Sequence, residues 1–328
     1  MKLGVYNAIL HDQPLPEALA TVRSLGLAGI EINAGGFLPP VHLPVDDILA
    51  GSTATEDYLG VFADAGVELT ALNCNGNPLH PDPRIGEVHA RDLRRSIEVA
   101  GRLGVGRVVT MSGLPHGEPG GTVPTWNPMP FESTYSDVRD WQWAEVAVPF
   151  WREIDALATE HGVKVCIEMH QYNLAFNPTT LTRLVEQTGA RSIGAEMDPS
   201  HLFWQGIDPV AGIEYLGELV YLAAAKDTRI NEAARIHGIL DDRHRKVTEN
   251  PIHLGGDATL NAWPENAAWD FVALGKGHDQ AFWTRFLRAL GKVDPDIAVN
   301  IEHEDVELGP LEGLEVAAKV LTAAAADV

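Results

Sequence analysis

Three stretches decide the fold: Val163–His170 (VKVCIEMH), Arg191–His201 (RSIGAEMDPSH) and Asp296–Asp305 (DIAVNIEHED). Each is a strand-length apolar run that ends on a carboxylate: Glu168, Asp198 and Glu302. One acid after a strand carries little meaning. Three at matched places suggest oxygen ligands collected at one mouth. A parallel α/β barrel gathers the C-terminal ends of its strands there, and its active site with them.

Working outward, further strand-like runs are expected at Leu3–Asn7, Gly29–Asn33, Leu69–Asn73, Arg107–Thr110 and Val220–Ala224. With Val163–Met169, Ser192–Met197 and Asp296–Ile301 they number eight. Amphipathic stretches separate them. PEALATVRSLG puts Leu19, Val22 and Leu25 on one stripe, and RDLRRSIEVAGRLG does so with Leu93, Ile97, Ala100 and Leu103. WREIDALATEHG adds Ile154, Leu157 and Ala158 before a stop at Gly162. These are helical periods with glycine ends. Eight strands alternating with helices predict an α/β fold, a (β/α)8 TIM barrel, spanning residues 1–328 as a single domain. A doubly wound open sheet is the alternative, but the first strand lacks the glycine-rich phosphate loop such a fold favours. Long loops follow strand 4 (Ser112 to about Asp137) and strand 7 (Asp227 to about His278). The second contains a short helix near Asn231–Leu240. Loops of this length over a barrel mouth are usually functional or disordered.

Composition bounds the function. The chain has 328 residues, 45% of them hydrophobic, enough for a large core. Its net charge of −22 opposes general binding to nucleic acid or anionic membrane. It suits an enzyme for a neutral or polar small molecule. MKLGVYNAIL opens directly in a strand pattern, without the apolar core of a signal peptide. The two cysteines, Cys74 and Cys166, lie in apolar runs and are expected as reduced, buried thiols. A cytoplasmic, disulfide-free protein is the expectation.

Residues i and i+2 of a strand share a face. Glu168 pairs in this way with His170, Glu196 with Asp198, and Asn300 with Glu302 and Glu304. Polar pairs at strand exits belong in a barrel mouth; the competing reading is solvated loop positions or helix caps. A hard divalent cation, Mn²⁺ foremost with Mg²⁺ or Zn²⁺ as alternatives, accepts such carboxylates. It would polarise a sugar carbonyl, while His170, His201 or Glu168 moves a proton on the adjacent carbon. Lys226 and Arg229 are candidates for substrate hydroxyls or phosphate, with ion pairing to nearby acids as the alternative. Trp126, Tyr135, Trp141, Trp143, Trp263 and Trp269 would stack on a sugar or an aglycone, or else pack helices on the barrel.

Five runs carry a family resemblance: Asn75–Asp82 (NGNPLHPD), Cys166–Leu184 (CIEMHQYNLAFNPTTLTRL), Met197–Val210 (MDPSHLFWQGIDPV), Ala223–Ile230 (AAAKDTRI) and Asn300–Asp305 (NIEHED). Over nearly the whole chain the sequence resembles the sugar phosphate isomerase/epimerase family of xylose isomerase-like barrels. The resemblance implies metal-ligand positions at Glu168, Asp198 and Glu302, and a substrate contact at His201. Asn77, His80 and Trp126 join the expected substrate-binding set. It implies divalent-metal-assisted isomerisation or epimerisation of a carbohydrate or glycoside. It also implies a possible homo-oligomer or small partner subunit. Some relatives with Glu-x-His on the fifth strand resemble the catalytic subunits of C-glycoside deglycosidases. There His170 would be the base of an elimination from a 3-keto-glycoside.

One departure stands out. The family pattern places a histidine ligand two residues before the lysine of a His-x-Lys-Asp run; here that position is Ala224. Three readings stay open. The cation is held by three protein ligands and more water; a loop histidine such as His253 or His278 substitutes; or the metal is weak or lost, leaving a non-catalytic sugar-binding protein.

Overall fold

The run around Cys166 folds into strand Lys164–Glu168, hydrogen-bonded in parallel to neighbours on both sides. In this computed structural model, which describes residues 1–305 and 307–328, the strands are β1 Lys2–Tyr6, β2 Gly29–Asn33, β3 Glu68–Asn73, β4 Arg107–Met111, β5 Lys164–Glu168, β6 Ile193–Met197 and β7 Val220–Ala225. They continue as β8 Asp227–Ile230, β9 His253–Gly255, β10 Ala258–Thr259, β11 Trp269–Val272 and β12 Ala298–Ile301. Eight of them close a barrel in the order β1–β12–β7–β6–β5–β4–β3–β2, with helices outside. The architecture is a (β/α)8 barrel. Each of the eight expected strands is present, with ends moved by no more than two residues.

The barrel sorts its side chains by strand parity. Ala71, Val109, Cys166, Leu222 and Ala298 form a separate apolar cluster that plugs the interior. Ala223 and Ala225 belong instead to the large outer core between strands and helices. Ala224, between them, therefore shares the inward face of Leu222. The interior is narrow at β1: a methyl group on Gly4 would lie 2.4 Å from Asn300 Oδ1 and 2.6 Å from the Gly29 carbonyl. Glycine here lets strands with large inward side chains sit side by side.

Helix ends follow local chemistry. Asp82 caps helix Pro83–Leu103 by accepting from the Arg84 amide, and proline at its first position has no amide hydrogen to satisfy. Gly162 ends helix Val148–His161 in the left-handed region, φ 67°. Just before that helix the chain runs through a π-helical turn, Gln142–Ala147. A regular helix would drive the Pro149 ring into the carbonyl four residues back, and the wider turn relieves this. The turn also aims the Gln142 amide at three loop carbonyls: Pro115 at 3.2 Å, His116 at 3.1 Å and Thr125 at 2.8 Å. The long loop after β4 is thus tied to the outer helix.

The long excursion after β7 is more ordered than its sequence suggests. The expected short helix is there, at Ala234–His237. Two pairings were not anticipated. β8 pairs antiparallel with β11, Trp269 opposite Ile230 and Val272 opposite Asp227, and β9 pairs with β10. Asp227 anchors this excursion. Its carboxylate accepts from the amides of Thr228, Gly275, Gly277 and His278, and meets His278 Nδ1 at 2.7 Å.

Cys74 and Cys166 are both free and buried. Burial pushes each thiol up to about 12. Neither should react with an alkylating reagent in the native protein at neutral pH, and both should react in denaturant. Mass spectrometry of labelled protein reads the count directly. Rapid native labelling of either would contradict the packing.

Among the described residues, no helix is long and apolar enough to cross a membrane.

Candidate active site

The three strand-end carboxylates meet. One oxygen each of Glu168, Asp198 and Glu302 lies within 4.8 Å of the others, and all three residues are buried. β5, β6 and β12 deliver them to the C-terminal mouth. The residues around them fix their orientation. Asn75, from the loop after β3, donates to Glu168 Oε2. Asp198 accepts from the Ser200 amide at 2.8 Å and hydroxyl at 2.9 Å. Glu302 Oε2 faces Lys226 Nζ at 3.2 Å, while its Oε1 is buried with no partner among the described residues. Lys226 also reaches Glu304 at 2.7 Å and sits 4.5 Å over the Phe271 ring.

Two histidines complete the cluster and differ in environment. His201 Nε2 lies 3.0 Å from Glu168 Oε1 and 3.2 Å from Asp198 Oδ2; its Nδ1 is buried without a partner among the described residues. Burial disfavours its charge, but the Asp198 and Glu168 carboxylates outweigh burial and lift it to about 9. The same contact draws Asp198 down to about 2 against the cost of its own burial. His170, 4.1 Å away ring to ring, goes the other way. Burial, and then the positive His201, press it down to about 4. His170 Nδ1 contacts the Gln171 carbonyl at 2.7 Å. A carbonyl only accepts, so Nδ1 carries the hydrogen and Nε2 keeps its lone pair. One ring nitrogen of each histidine lies within 4.8 Å of a Glu168 oxygen.

The His201 shift makes a stability prediction for protein stripped of metal. Its folded value is raised above the ordinary 6.5. The stabilisation is then complete below pH 6.5 and is lost as pH rises through 9. Thermal midpoints in chelator should fall over that window, and fall less in His201→Gln. A wild-type profile no steeper than the variant's would refute the imidazolium.

The other expected residues are placed as follows. The Asn77 amide is used by backbone: Nδ2 donates to Leu114 O, and Oδ1 accepts from the amides of Leu79 and Leu114. His80 Nδ1 accepts from the Asp82 amide. Arg229 is paired with Glu307 at 2.9 Å and Asp270 at 3.5 Å. Trp126 packs on Tyr172 and Phe176 and donates to the Asn173 carbonyl at 3.1 Å. Trp143 is buried packing, Tyr135 is exposed, and Trp141 rests on His116. Trp269 stacks with Trp204. Of the loop histidines named for the place of Ala224, His278 is held by Asp227 and stacks on Phe203, and His253 is exposed on β9.

Sequence reasoning missed Phe271. The β8–β11 ribbon brings its ring 5.5 Å from His201 and into edge contact with Trp263 and Trp269. The alternation of Trp269, Asp270 and Phe271 was the available signal. It also missed Glu31, a buried acid of β2 held by Asn73 and Asn300.

The architecture and sequence define a class. The profile of the xylose isomerase-like TIM barrel family matches residues 19–324, and the chain belongs to that family. It is similar to the uncharacterized protein YfiH of Bacillus subtilis (strain 168), with 32% identity over 325 residues and 98% of both chains covered. Among solved structures it is similar to the 3-keto-D-glucoside 4-epimerase YcjR of E. coli, with 11% identity, TM-score 0.62 and 99% of each chain covered. It is likewise similar to a xylose isomerase-like TIM barrel protein of Mycobacterium smegmatis in complex with magnesium. That likeness has 16% identity, TM-score 0.61, and 98% and 97% of the chains covered. At these identities the structural likenesses establish the fold.

Proposed function

We infer that this chain is a divalent-metal-assisted sugar isomerase or epimerase that moves a proton on the carbon beside a carbonyl. The observation that carries the reading is the convergence of three buried carboxylates with two histidines, His201 within reach of Glu168 and Asp198 and His170 packed against it. Paired groups whose environments drive their pKa values apart mark a base and its partner. The donor set fits a cation: three carboxylate residues converge, and Glu302 Oε1 is a buried oxygen with no partner among the described residues. Glu168, Asp198 and Glu302 would hold it. When bound, such a cation supplies positive charge beside the substrate carbonyl.

The remaining work falls to this chain's own groups. His170 Nε2, with its lone pair free, takes the proton from carbon. His201, pinned through Nε2 by two carboxylates, presents its Nδ1, which has no partner among the described residues, to a substrate hydroxyl. Phe271 covers the positive groups, and together with Trp263 and Trp269 forms an apolar wall suited to a sugar face. Returning the proton to the opposite face of the same carbon gives an epimer. Returning it to the neighbouring carbon gives an isomer. The activity in the name of the E. coli epimerase, acting on a 3-keto-D-glucoside, is of this kind and supports including keto-glucosides among candidate substrates.

The test is exchange. Mn²⁺-loaded protein is incubated in D₂O with ketoses and 3-keto-glucosides, and deuterium at the carbon beside the ketone is followed by NMR. Exchange with formation of an epimer or isomer is expected. Release of an aglycone would instead identify the eliminating chemistry. Sugar binding with no exchange in any candidate would favour a non-catalytic binding protein.

A further inference from the structure

The rim cluster leaves one buried acid unexplained. Glu196 lies two residues before Asp198 on β6, deeper in the barrel. It is 0% exposed, and among the described residues neither of its carboxylate oxygens has a hydrogen-bond partner. Buried polar groups are almost always satisfied, so a buried carboxyl with two bare oxygens either takes up a proton or binds a positive ligand. It is not isolated. One oxygen each of Glu31, Glu196 and Glu302 lies within 4.8 Å of the others. The three come from β2, β6 and the end of β12, on different sides of the barrel.

The surroundings of this second trio are those of a built site. Asn73 Nδ2 donates to Glu31 Oε1 at 2.7 Å, and Asn300 Nδ2 donates to Oε2 at 2.8 Å. The two amides orient the carboxylate and leave each of its oxygens a further lone pair. Glu302 belongs to both trios, and its Oε1 is unpartnered among the described residues. No nitrogen or sulfur is in the set, so the donors are those of a hard cation. The inward position of Ala224, on the strand next to β6, puts only a methyl group where the family pattern has an imidazole.

We propose that Glu31, Glu196 and Glu302 form a second divalent-cation site below the rim, with Glu302 bridging the two. This goes beyond the rim cluster, to which Glu31 and Glu196 contribute nothing. Its chemistry is that of an oxygen-ligated Mn²⁺ or Mg²⁺. Paired ions bridged by a carboxylate sit about 3.5–4 Å apart, close enough for two Mn²⁺ ions to couple magnetically.

The experiment counts ions. Protein stripped with chelator is equilibrated with Mn²⁺, and bound metal is measured by elemental analysis and electron paramagnetic resonance. Two Mn²⁺ per chain with a coupled spectrum are expected in the wild type. Glu196→Gln and Glu31→Gln should each bind one, with an uncoupled spectrum. Circular dichroism confirms that the variants fold; if either does not, the wild-type count and the remaining variant decide. One ion in the saturated wild type overturns the second site. So does retention of two coupled ions in Glu196→Gln. A single wild-type ion that is lost in Asp198→Asn would remove this site and leave the proposed function standing. A wild type that binds no Mn²⁺ would overturn both.

Discussion

Replacing His170 with alanine should slow turnover by about 10²–10⁴-fold, the usual contribution of a general base. The reason is its position rather than its type. His170 Nδ1 is committed to the Gln171 carbonyl, and the ring sits against His201, 4.1 Å away between centroids. Among the described residues, the side chain's one hydrogen bond is to its neighbour in sequence, so alanine removes no cross-link between elements. The fold and the Mn²⁺ count should therefore survive. Added imidazole should recover part of the rate, which a loss of packing would not allow. The acid limb of the pH profile gives a second reading. Burial and the His201 charge hold His170 near 4, so the base form persists well below pH 6.5. The rate should fall only as pH drops toward 4, and His170→Ala should not show that limb. Normal turnover in His170→Ala on the true substrate would exclude it as the base.

The sequence alone makes the barrel readable because its signal is local. Each strand is a short apolar run and each helix a 3.6-residue period, and eight repeats compensate for errors at the ends. Glu168, Asp198 and Glu302 were visible for the same reason: each directly ends such a run. What escaped depended on distant pairing. β8 and β11 are four residues each and pair across about forty residues of sequence, with no local hairpin turn to announce them. Phe271 reaches His201 only through that pairing. Arg229 is legible as a cation, but its ion pairs with Asp270 and Glu307 depend on how the loops fold back. Glu31 sits in GIEIN, where a single acid inside a buried strand reads as an outward residue until barrel closure turns it inward. Glu196 shares a face with Asp198 by simple parity, yet its lack of a partner among the described residues is a fact of three dimensions.

Ala224→His should tighten Mn²⁺ binding at the rim by about 10–100-fold, or roughly 1.4–2.8 kcal/mol. The carboxylates are already gathered, so the substitution adds a ligand without having to assemble the site. Strand parity sends the new side chain inward: Leu222 plugs the barrel, Ala223 and Ala225 face the helices, and Lys226 lies at the mouth. Ala224 is opposite Asn300 on β12, two residues before Glu302. An imidazole there would rise beside the bare Glu302 Oε1. Neither loop histidine offered by the sequence competes for this place, since His278 is held by Asp227 and His253 is exposed. The cost is volume, because Ala224 is wholly buried. An overpacked variant would lose about 1–3 kcal/mol of stability, so thermal unfolding should accompany the Mn²⁺ titration. Tighter binding would mean that wild type lacks a rim ligand. An unchanged dissociation constant in a stably folded variant would mean that the carboxylates already saturate the cation, and that Ala224 marks a different division of ligands rather than a missing one.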